Sequence, residues 1–114
     1  MATPSPAFTV EVERKDDVTI IHCRGRLVAG ETNAFHSEVR PLLVADKRVV
    51  LDLTELVRMD SMGLGSVVSL AVSAKRVGCH LELVNLGKQI RQLFAISNLL
   101  SMFEPAGDNT FRIP

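Results

Sequence analysis

The segment Asp60-Ser61-Met62-Gly63-Leu64-Gly65 holds the residues of this sequence whose types and spacing most favour chemistry or binding. Asp and Ser are preferred N-cap residues, because their side-chain oxygens accept hydrogen bonds from the unpaired backbone N–H groups of a first helical turn. Residue types alone therefore predict a capped helix. Gly63 and Gly65 fall in that first turn, where Gly costs roughly 1 kcal/mol relative to Ala. The presence of these two glycines predicts that another group approaches the N-terminus of the helix closely.

The helix that follows is predicted from about Met62 to Val77, and it carries no charge between Ser61 and Ala74. Ser66, Ser69 and Ser73 form a stripe of small polar groups at helical spacing. A second face supplies apolar residues for the core, namely Leu64, Val67, Val68, Ala71 and Ala74. A solvent-facing helix usually carries Lys or Glu, so the small uncharged stripe is typical of a docking surface. A fully buried central helix is the alternative that periodicity leaves open.

The histidines and cysteines indicate structural positions rather than a metal or cofactor site. His22, His36 and His80 fall on different predicted elements, and none has a partner at metal-ligand spacing. Cys23 and Cys79 are too few for a disulfide framework or a four-ligand zinc site. Both cysteines are therefore expected to be free thiols that pack as small core residues, in a reducing compartment.

Two enzyme classes are disfavoured by the same segment. The segment around Gly63 and Gly65 lacks the third glycine of a dinucleotide-binding fingerprint, and it also lacks the lysine of a phosphate-binding loop. A hydrolase that used Ser61 as nucleophile would need a Gly-x-Ser-x-Gly elbow and an oriented histidine, whereas the chain has Asp-Ser-Met-Gly. A serine hydrolase is thus the least favoured of the functions considered.

Length and composition limit the protein to a few broad classes. The sequence has 114 residues, 46% hydrophobic and 23% charged, which predicts one globular domain. Lys and Arg number 13 and Asp and Glu number 13, so the zero net charge argues against nucleic acid and anionic membranes as partners. The N-terminus lacks signal-peptide features, and no apolar run reaches the roughly 20 residues of a membrane span. We therefore expect a cytoplasmic protein without membrane insertion.

Hydrophobic periodicity predicts an α/β domain whose elements follow the order ββαβαβα. The predicted strands and helices are strands 8–13, 18–24, 49–53 and 80–84 and helices 32–43, 62–77 and 86–94. Right-handed crossovers then predict a mixed, mostly parallel sheet of four to five strands flanked by three to four helices, on one face or both. The domain is predicted to span residues 7–105, between a flexible tail at 1–6 and a loose C-terminal tail at 106–114.

Three segments resemble the STAS domain family, and within it the bacterial anti-sigma factor antagonists. They are Gly25-Arg26-Leu27 after the second strand, Val49–Leu53 leading into Met59–Gly65, and the strand exit Leu83–Asn85. The Asp-Ser-x-Gly-Leu-Gly element after a strand is the most specific of them. The resemblance extends over residues 8–104 and implies a β-sheet flanked by helices, in the order predicted above.

The resemblance also implies a function. An antagonist of this family binds an anti-sigma factor that is also a serine kinase, and phosphorylation at an Asp-Ser-[Ser/Thr]-Gly element releases it. A cognate serine phosphatase restores binding and thereby frees the sigma factor. This chain would then regulate transcription by partner switching as a non-enzymatic phosphoprotein, and the kinase would supply its own ATP and magnesium.

The sequence departs from the family pattern at Met62, which stands where a hydroxyl residue is common. Ser61 is therefore the predicted phosphate acceptor. The predicted partner-binding set is Asp60, Ser61, Met62, Gly63, Leu64, Gly65, Ser66 and Ser69. The alternative is a STAS scaffold subunit of a signalling or lipid-transport assembly that is never phosphorylated.

Overall fold

A computed structural model describes residues 8–107 and 109–112 of the chain. The chain begins with the predicted antiparallel hairpin, formed by β1 (Phe8–Lys15) and β2 (Val18–Leu27). Asp16 adopts a positive φ of 56° in the turn between them. The remaining elements are α1 (Thr32–Ala45), β3 (Arg48–Met59), α2 (Ser61–Val77), β4 (His80–Val84), α3 (Lys88–Ile96), a short 3-10 helix (Leu99–Met102), β5 (Glu104–Gly107) and β6 (Thr110–Arg112).

Across residues 8–107 and 109–112 the sheet has six strands, in the order β1-β2-β3-β4-β6-β5. The mixed α/β architecture with three flanking α-helices agrees with the sequence prediction, but the sheet has more strands than the four to five expected. Its parallel pairs are β2–β3 and β3–β4, and the other three pairs are antiparallel. The sheet is therefore mixed without a parallel majority, because a second hairpin, β5 and β6, adds antiparallel pairs beside β4.

This second hairpin lies in a region that the sequence predicted as the domain end and a loose tail from residue 106. Phe111 anchors β6, since its ring is buried and lies under the Arg91 guanidinium at 5.5 Å. The Asn109 side-chain amide donates a hydrogen bond to the Leu86 carbonyl at 3.0 Å. A three-residue strand is too short to show a periodicity, so the sheet extends to Arg112 without a clear sequence signal. The predicted tail at 1–6 lies outside the described residues.

Within the described ranges, the helices pack against one face of the sheet. Burial alternates along β2, β3 and β4, so that every second side chain enters the core and its neighbours face outward. The largest fully buried side chains are Phe35, Phe94, Ile21, Leu27, Leu43, Leu51, Leu53, Met59, Leu70, Leu81, Leu83 and Ile90. Cys23 and Cys79 are buried free thiols, as predicted. The opposite face, here called the open face, carries mainly polar and charged side chains, with half-buried Ile20, Val50 and Val84 among them.

Strand β3 continues well past its predicted end, to Met59. Its pairing with β2 shifts between the pairs His22–Asp52 and Arg24–Glu55, so β3 contains one more residue than β2 over this stretch. The shift interrupts the alternation of buried and exposed residues on which the sequence prediction relied. Residues 54–59, which lie beyond the end predicted for this strand, are therefore strand as well, and they lead directly into α2.

Candidate functional site

Asp60 forms the N-cap of α2, as predicted. Its Oδ1 accepts a hydrogen bond from the Gly63 N–H at 2.9 Å, and its Oδ2 accepts one from the Ala29 N–H at 3.0 Å. These two backbone donors, Ala29 first and Gly63 second, hold the pKa of Asp60 below its usual value. Because Ala29 follows β2, the carboxylate also fixes the start of α2 to the end of that strand.

Gly63 is required by a close approach within the chain itself. A Cβ at this position would lie 2.0 Å from the Leu27 carbonyl oxygen and 3.0 Å from the Met59 side chain. The predicted close approach is thus made by the end of β2. Gly65 differs, since a Cβ there would meet nothing within 4 Å. One glycine allows α2 to pack against the sheet, and the other leaves an open surface.

Gln89 of α3 holds the residue that precedes Asp60. Its side-chain amide accepts a hydrogen bond from the Met59 N–H and donates one to the Met59 carbonyl, both at 3.1 Å. The amide therefore pairs with the last residue of β3 as a neighbouring strand would. Sequence reasoning gave Gln89 no role, because only the packing of α3 brings it beside Met59.

The predicted partner-binding set divides between surface and interior. Met62 is 58% exposed, and Ser61 is also exposed, so its hydroxyl lies at the surface at the start of α2. The remaining exposed members are Gly65 and Ser69, Asp60 is half-buried, and the buried members are Gly63, Leu64 and Ser66. The exposed residues form a surface that a partner can reach, and the buried ones position it.

A shallow cleft of about 540 Å³ lies between the N-terminal halves of α1 and α2. It is lined by Thr32, Asn33 and His36 from α1 and by Ser61, Met62, Gly65, Ser66 and Ser69 from α2. Residue types and spacing did not point to the three α1 residues, because only the tertiary packing places α1 beside α2. The Ser66 Oγ is buried and has no hydrogen-bond partner within the described part of the chain.

The arrangement around Ser61 does not resemble a hydrolase site. His36 lines the same cleft, and its ring packs edge-on against Phe35 with the ring centroids 6.2 Å apart. Among the described residues, His36 forms no hydrogen bond with Ser61 or with a carboxylate. The oriented histidine that a serine nucleophile needs is therefore not assembled in this structure.

The open face carries a second polar centre, in which His22 bridges two carboxylates. His22 Nδ1 lies 2.8 Å from Asp52 Oδ2, and Nε2 lies 2.8 Å from Glu13 Oε1. Ionised carboxylates only accept hydrogen bonds, so both contacts are hydrogen bonds at once only when both ring nitrogens carry a proton and the imidazole is charged. Hydrogen bonds to Glu13 first and Asp52 second accordingly raise the pKa of His22. We call Glu13, His22 and Asp52 the sheet clamp, because they connect β1, β2 and β3.

Asp52 extends this network to the end of β4. Its Oδ1 accepts hydrogen bonds from the Thr54 N–H at 3.1 Å, from the Thr54 hydroxyl at 2.5 Å and from the Asn85 amide at 3.2 Å. Partial burial acts to raise the pKa of Asp52, but the hydrogen bonds from Thr54, Asn85 and His22 hold it below its usual value.

Other candidate groups offer less chemistry. Burial raises the pKa of the Cys23 thiol to about 12, which leaves it an unreactive core residue. Within the residues described, no group of three or more His, Cys, Asp and Glu side chains could hold a metal ion. No helix in the described ranges is long and apolar enough to cross a membrane.

Comparison with known proteins places this architecture among STAS domains. The STAS domain family model matches residues 9–112. A STAS-domain containing protein of Pseudomonas aeruginosa is 27% identical over 84 residues, which are 74% of this chain and 83% of that protein.

Solved structures share the fold at lower identity. An anti-sigma factor antagonist from Mycobacterium paratuberculosis is 20% identical, with a TM-score of 0.72 over 87% of this chain and 86% of its own. The anti-sigma factor antagonist SpoIIAA of Bacillus, in its phosphorylated form, is 19% identical, with a TM-score of 0.65 over 88% of this chain and 93% of its own. A murine solute carrier 26 anion transporter is 21% identical, with a TM-score of 0.63 over 75% of this chain but 14% of its own.

Proposed function

Because this chain belongs to the STAS domain family, we propose that it is an anti-sigma factor antagonist that docks through the α1–α2 cleft and is released by phosphorylation of Ser61. The observation that carries the proposal is the exposed Ser61 hydroxyl, which follows an Asp N-cap and opens a cleft of small polar residues. It is supported by the fold shared with SpoIIAA, a protein solved in unphosphorylated and phosphorylated forms.

Electrostatics supports Ser61 as the acceptor. A phosphate there would add about −1.5 to −2 charges beside the Asp60 carboxylate. The N-terminus of α2 tolerates an anion, because its free N–H groups and helix dipole stabilise negative charge. The domain would therefore remain folded, and the docked partner would experience the repulsion instead. A desolvated contact between like charges costs several kcal/mol, which is enough to release a partner.

The implied partners are a serine kinase of the anti-sigma factor class and a cognate serine phosphatase, both in the cytoplasm. The chain itself would act by binding and would hold no cofactor. It would regulate sigma-factor-dependent transcription by withholding the anti-sigma factor from its sigma factor.

The test uses the cognate kinase-type anti-sigma factor with ATP and magnesium. We expect one phosphate per chain, located at Ser61 by mass spectrometry, together with loss of the complex in size-exclusion chromatography. Ser61→Ala should bind the kinase and resist release by ATP. Ser61→Asp should bind more weakly, by about tenfold, because it supplies part of the charge of a phosphate.

Ser69→Asp is the matched control, since it places the same charge on the same helix about two turns further on. If the charge acts by repelling the partner at the start of α2, Ser69→Asp should lose less binding than Ser61→Asp. Equal losses would show that any charge on α2 prevents docking. Uptake of no phosphate by a chain that still binds the kinase would disprove the switch.

A scaffold role is the second candidate, and Met62 favours it. Met62 replaces the hydroxyl residue usual in the family and is 58% exposed at the proposed contact surface. The transporter match shows that a STAS fold also occurs as a small part of a much longer chain. Met62→Ser discriminates the two candidates: if it acquires kinase-dependent phosphorylation that the natural sequence lacks, the natural chain is a non-phosphorylated scaffold.

A further inference from the structure

The groove between α1 and α2 continues beyond the Ser61 cleft to a second cavity. This cavity, of about 50 Å³, is lined by Arg40, Leu43, Val44, Ser73, Arg76 and Val77. The early residues of both helices line the first cleft and the later residues line this one, so the two helices run in the same direction. Val44 is 69% exposed and Val77 is 49% exposed, which leaves an apolar surface at the cavity mouth.

The two arginines of this cavity have no acidic partner in the part of the chain that the structure describes. Neither Arg40 nor Arg76 forms an ion pair with any described residue, whereas Arg14, on the hairpin, pairs with Asp46 at 2.9 Å. The sequence of α2 contains no acidic residue, and that of α1 contains only Glu38. Arg76 is in the last turn of α2, where a cation complements the helix dipole. Arg40 lies in the middle of α1, so the dipole does not account for it.

We propose that this basic end of the groove, lined by Arg40, Leu43, Val44, Ser73, Arg76 and Val77, binds an acidic segment of a partner protein. One aliphatic side chain of that segment fills the cavity, and flanking carboxylates pair with the two arginines. The charge pattern favours an anionic occupant, because opposite charges across an interface stabilise it and orient its partner. The small apolar cavity favours a peptide side chain over a phosphate backbone or a lipid headgroup, neither of which would fill it.

The basic end lies far from the phosphorylation site that we propose. Arg76 is 15 residues beyond Ser61 on one helix, which corresponds to about 22 Å at about 1.5 Å per residue. This separation exceeds the Debye length of about 8 Å at physiological ionic strength, so a phosphate on Ser61 has little effect there. Binding at the basic end is therefore independent of the proposed switch and does not require Ser61 to be phosphorylated.

The probe is a short synthetic peptide in which one leucine is flanked on both sides by glutamates. It is titrated into the isotope-labelled full chain at physiological ionic strength, and backbone amide shifts are followed by NMR. We expect saturable shifts concentrated at Leu43, Val44, Ser73 and Val77. Replacing the leucine of the peptide by serine should weaken binding markedly, because the cavity is then left unfilled.

Charge reversal tests the arginines directly. The double variant Arg40→Glu with Arg76→Glu should lose about tenfold in affinity for the peptide. Arg58→Glu is the matched control, since Arg58 is an exposed arginine on β3 away from the groove, and it should bind within about twofold of the natural chain. Thermal melting establishes that all three chains are folded, and a second pair, Arg40→Gln and Arg76→Gln, removes the charges without reversing them.

Three results would overturn the proposal. They are shifts spread over the surface without saturation, equal losses in the Arg58→Glu control, and tighter binding of a DNA oligonucleotide or of anionic vesicles than of the peptide. Ser61→Glu separates this proposal from the switch. It should leave peptide binding unchanged, whether or not a kinase acts on Ser61.

Discussion

The open face of the sheet and the α1–α2 groove differ in whether their polar side chains are paired with one another. On the open face, His22 is held between Glu13 and Asp52, and Arg24 is held between Glu11 and Glu55. In the groove, the cleft beside Ser61 is lined by small or uncharged side chains. The Ser66 hydroxyl there finds no partner among the described residues, and the arginines at its far end form no ion pair with them.

This difference indicates that the groove, rather than the open face, is the surface that can gain new contacts with a partner. Polar groups that already satisfy one another gain little from a new partner, since binding must first break their existing contacts. Exposed groups without partners among the described residues, such as the two arginines, gain more when a ligand supplies the missing opposite charge. We therefore expect substitutions on the open face to change stability, and substitutions at exposed positions of the groove to change binding.

The largest expected effect comes from the pair of glycines at the start of α2. Gly63→Ala should lower the free energy of unfolding by about 3 kcal/mol or more, because the new Cβ would collide with the Leu27 carbonyl, a backbone atom that cannot move away. Chemical denaturation monitored by circular dichroism measures the change.

Gly65→Ala is the control on the same helical turn. Its Cβ enters open space, so the better helix propensity of Ala should raise the free energy of unfolding by about 0.5–1 kcal/mol. Equal destabilisation of the two variants would contradict the division between a glycine required by packing and one that lines the surface.

A smaller effect is expected at the sheet clamp. His22→Gln should lower the free energy of unfolding by about 1 kcal/mol near pH 6, because it removes a charged donor to both Glu13 and Asp52. His80→Gln, an exposed histidine on β4, is the control and should leave stability nearly unchanged.

The pH dependence of the clamp has a definite sign. The pKa of His22 is raised in the folded state, so its contribution is complete below the unfolded pKa of about 6.5 and disappears as the pH rises through the folded pKa. The pKa of Asp52 is lowered, so its contribution is present above about pH 4 and disappears as the pH falls through the folded pKa. Stability that does not decline more steeply above pH 6.5 in the natural chain than in His22→Gln would contradict the charged clamp.

The smallest effect should have the opposite sign. Ser66→Ala should raise the free energy of unfolding by about 0.5–1 kcal/mol, because it removes a buried hydroxyl without a partner and improves helix propensity. Ser69 is exposed in the same cleft, so Ser69→Ala should show only the gain from the higher helix propensity of Ala and serves as the reference. A loss of stability in Ser66→Ala relative to Ser69→Ala would show that the hydroxyl is satisfied in solution.

The sequence by itself determined the local features of this protein. The alternation of residues 8–13 and the apolar runs of the central strands predicted the first four strands, although β3 extends beyond its predicted end, and Asp60 and the predicted end at Val77 match the two ends of α2. These signals are local, because caps and strand periodicity depend on residues within a few positions of one another. The Asp-Ser-x-Gly-Leu-Gly element is equally local, since six consecutive residues carry the most specific part of the resemblance to the STAS family.

Only the tertiary structure decided how distant residues meet. Gly63 is needed because the Leu27 carbonyl lies against it, Gln89 pairs with Met59, and His22 bridges two strands. The final hairpin could not be predicted, since β6 is only three residues long and depends on β4 and on Phe111 packing. Each of these contacts joins residues far apart in the chain, and neither residue type nor periodicity specifies which distant segments pack together.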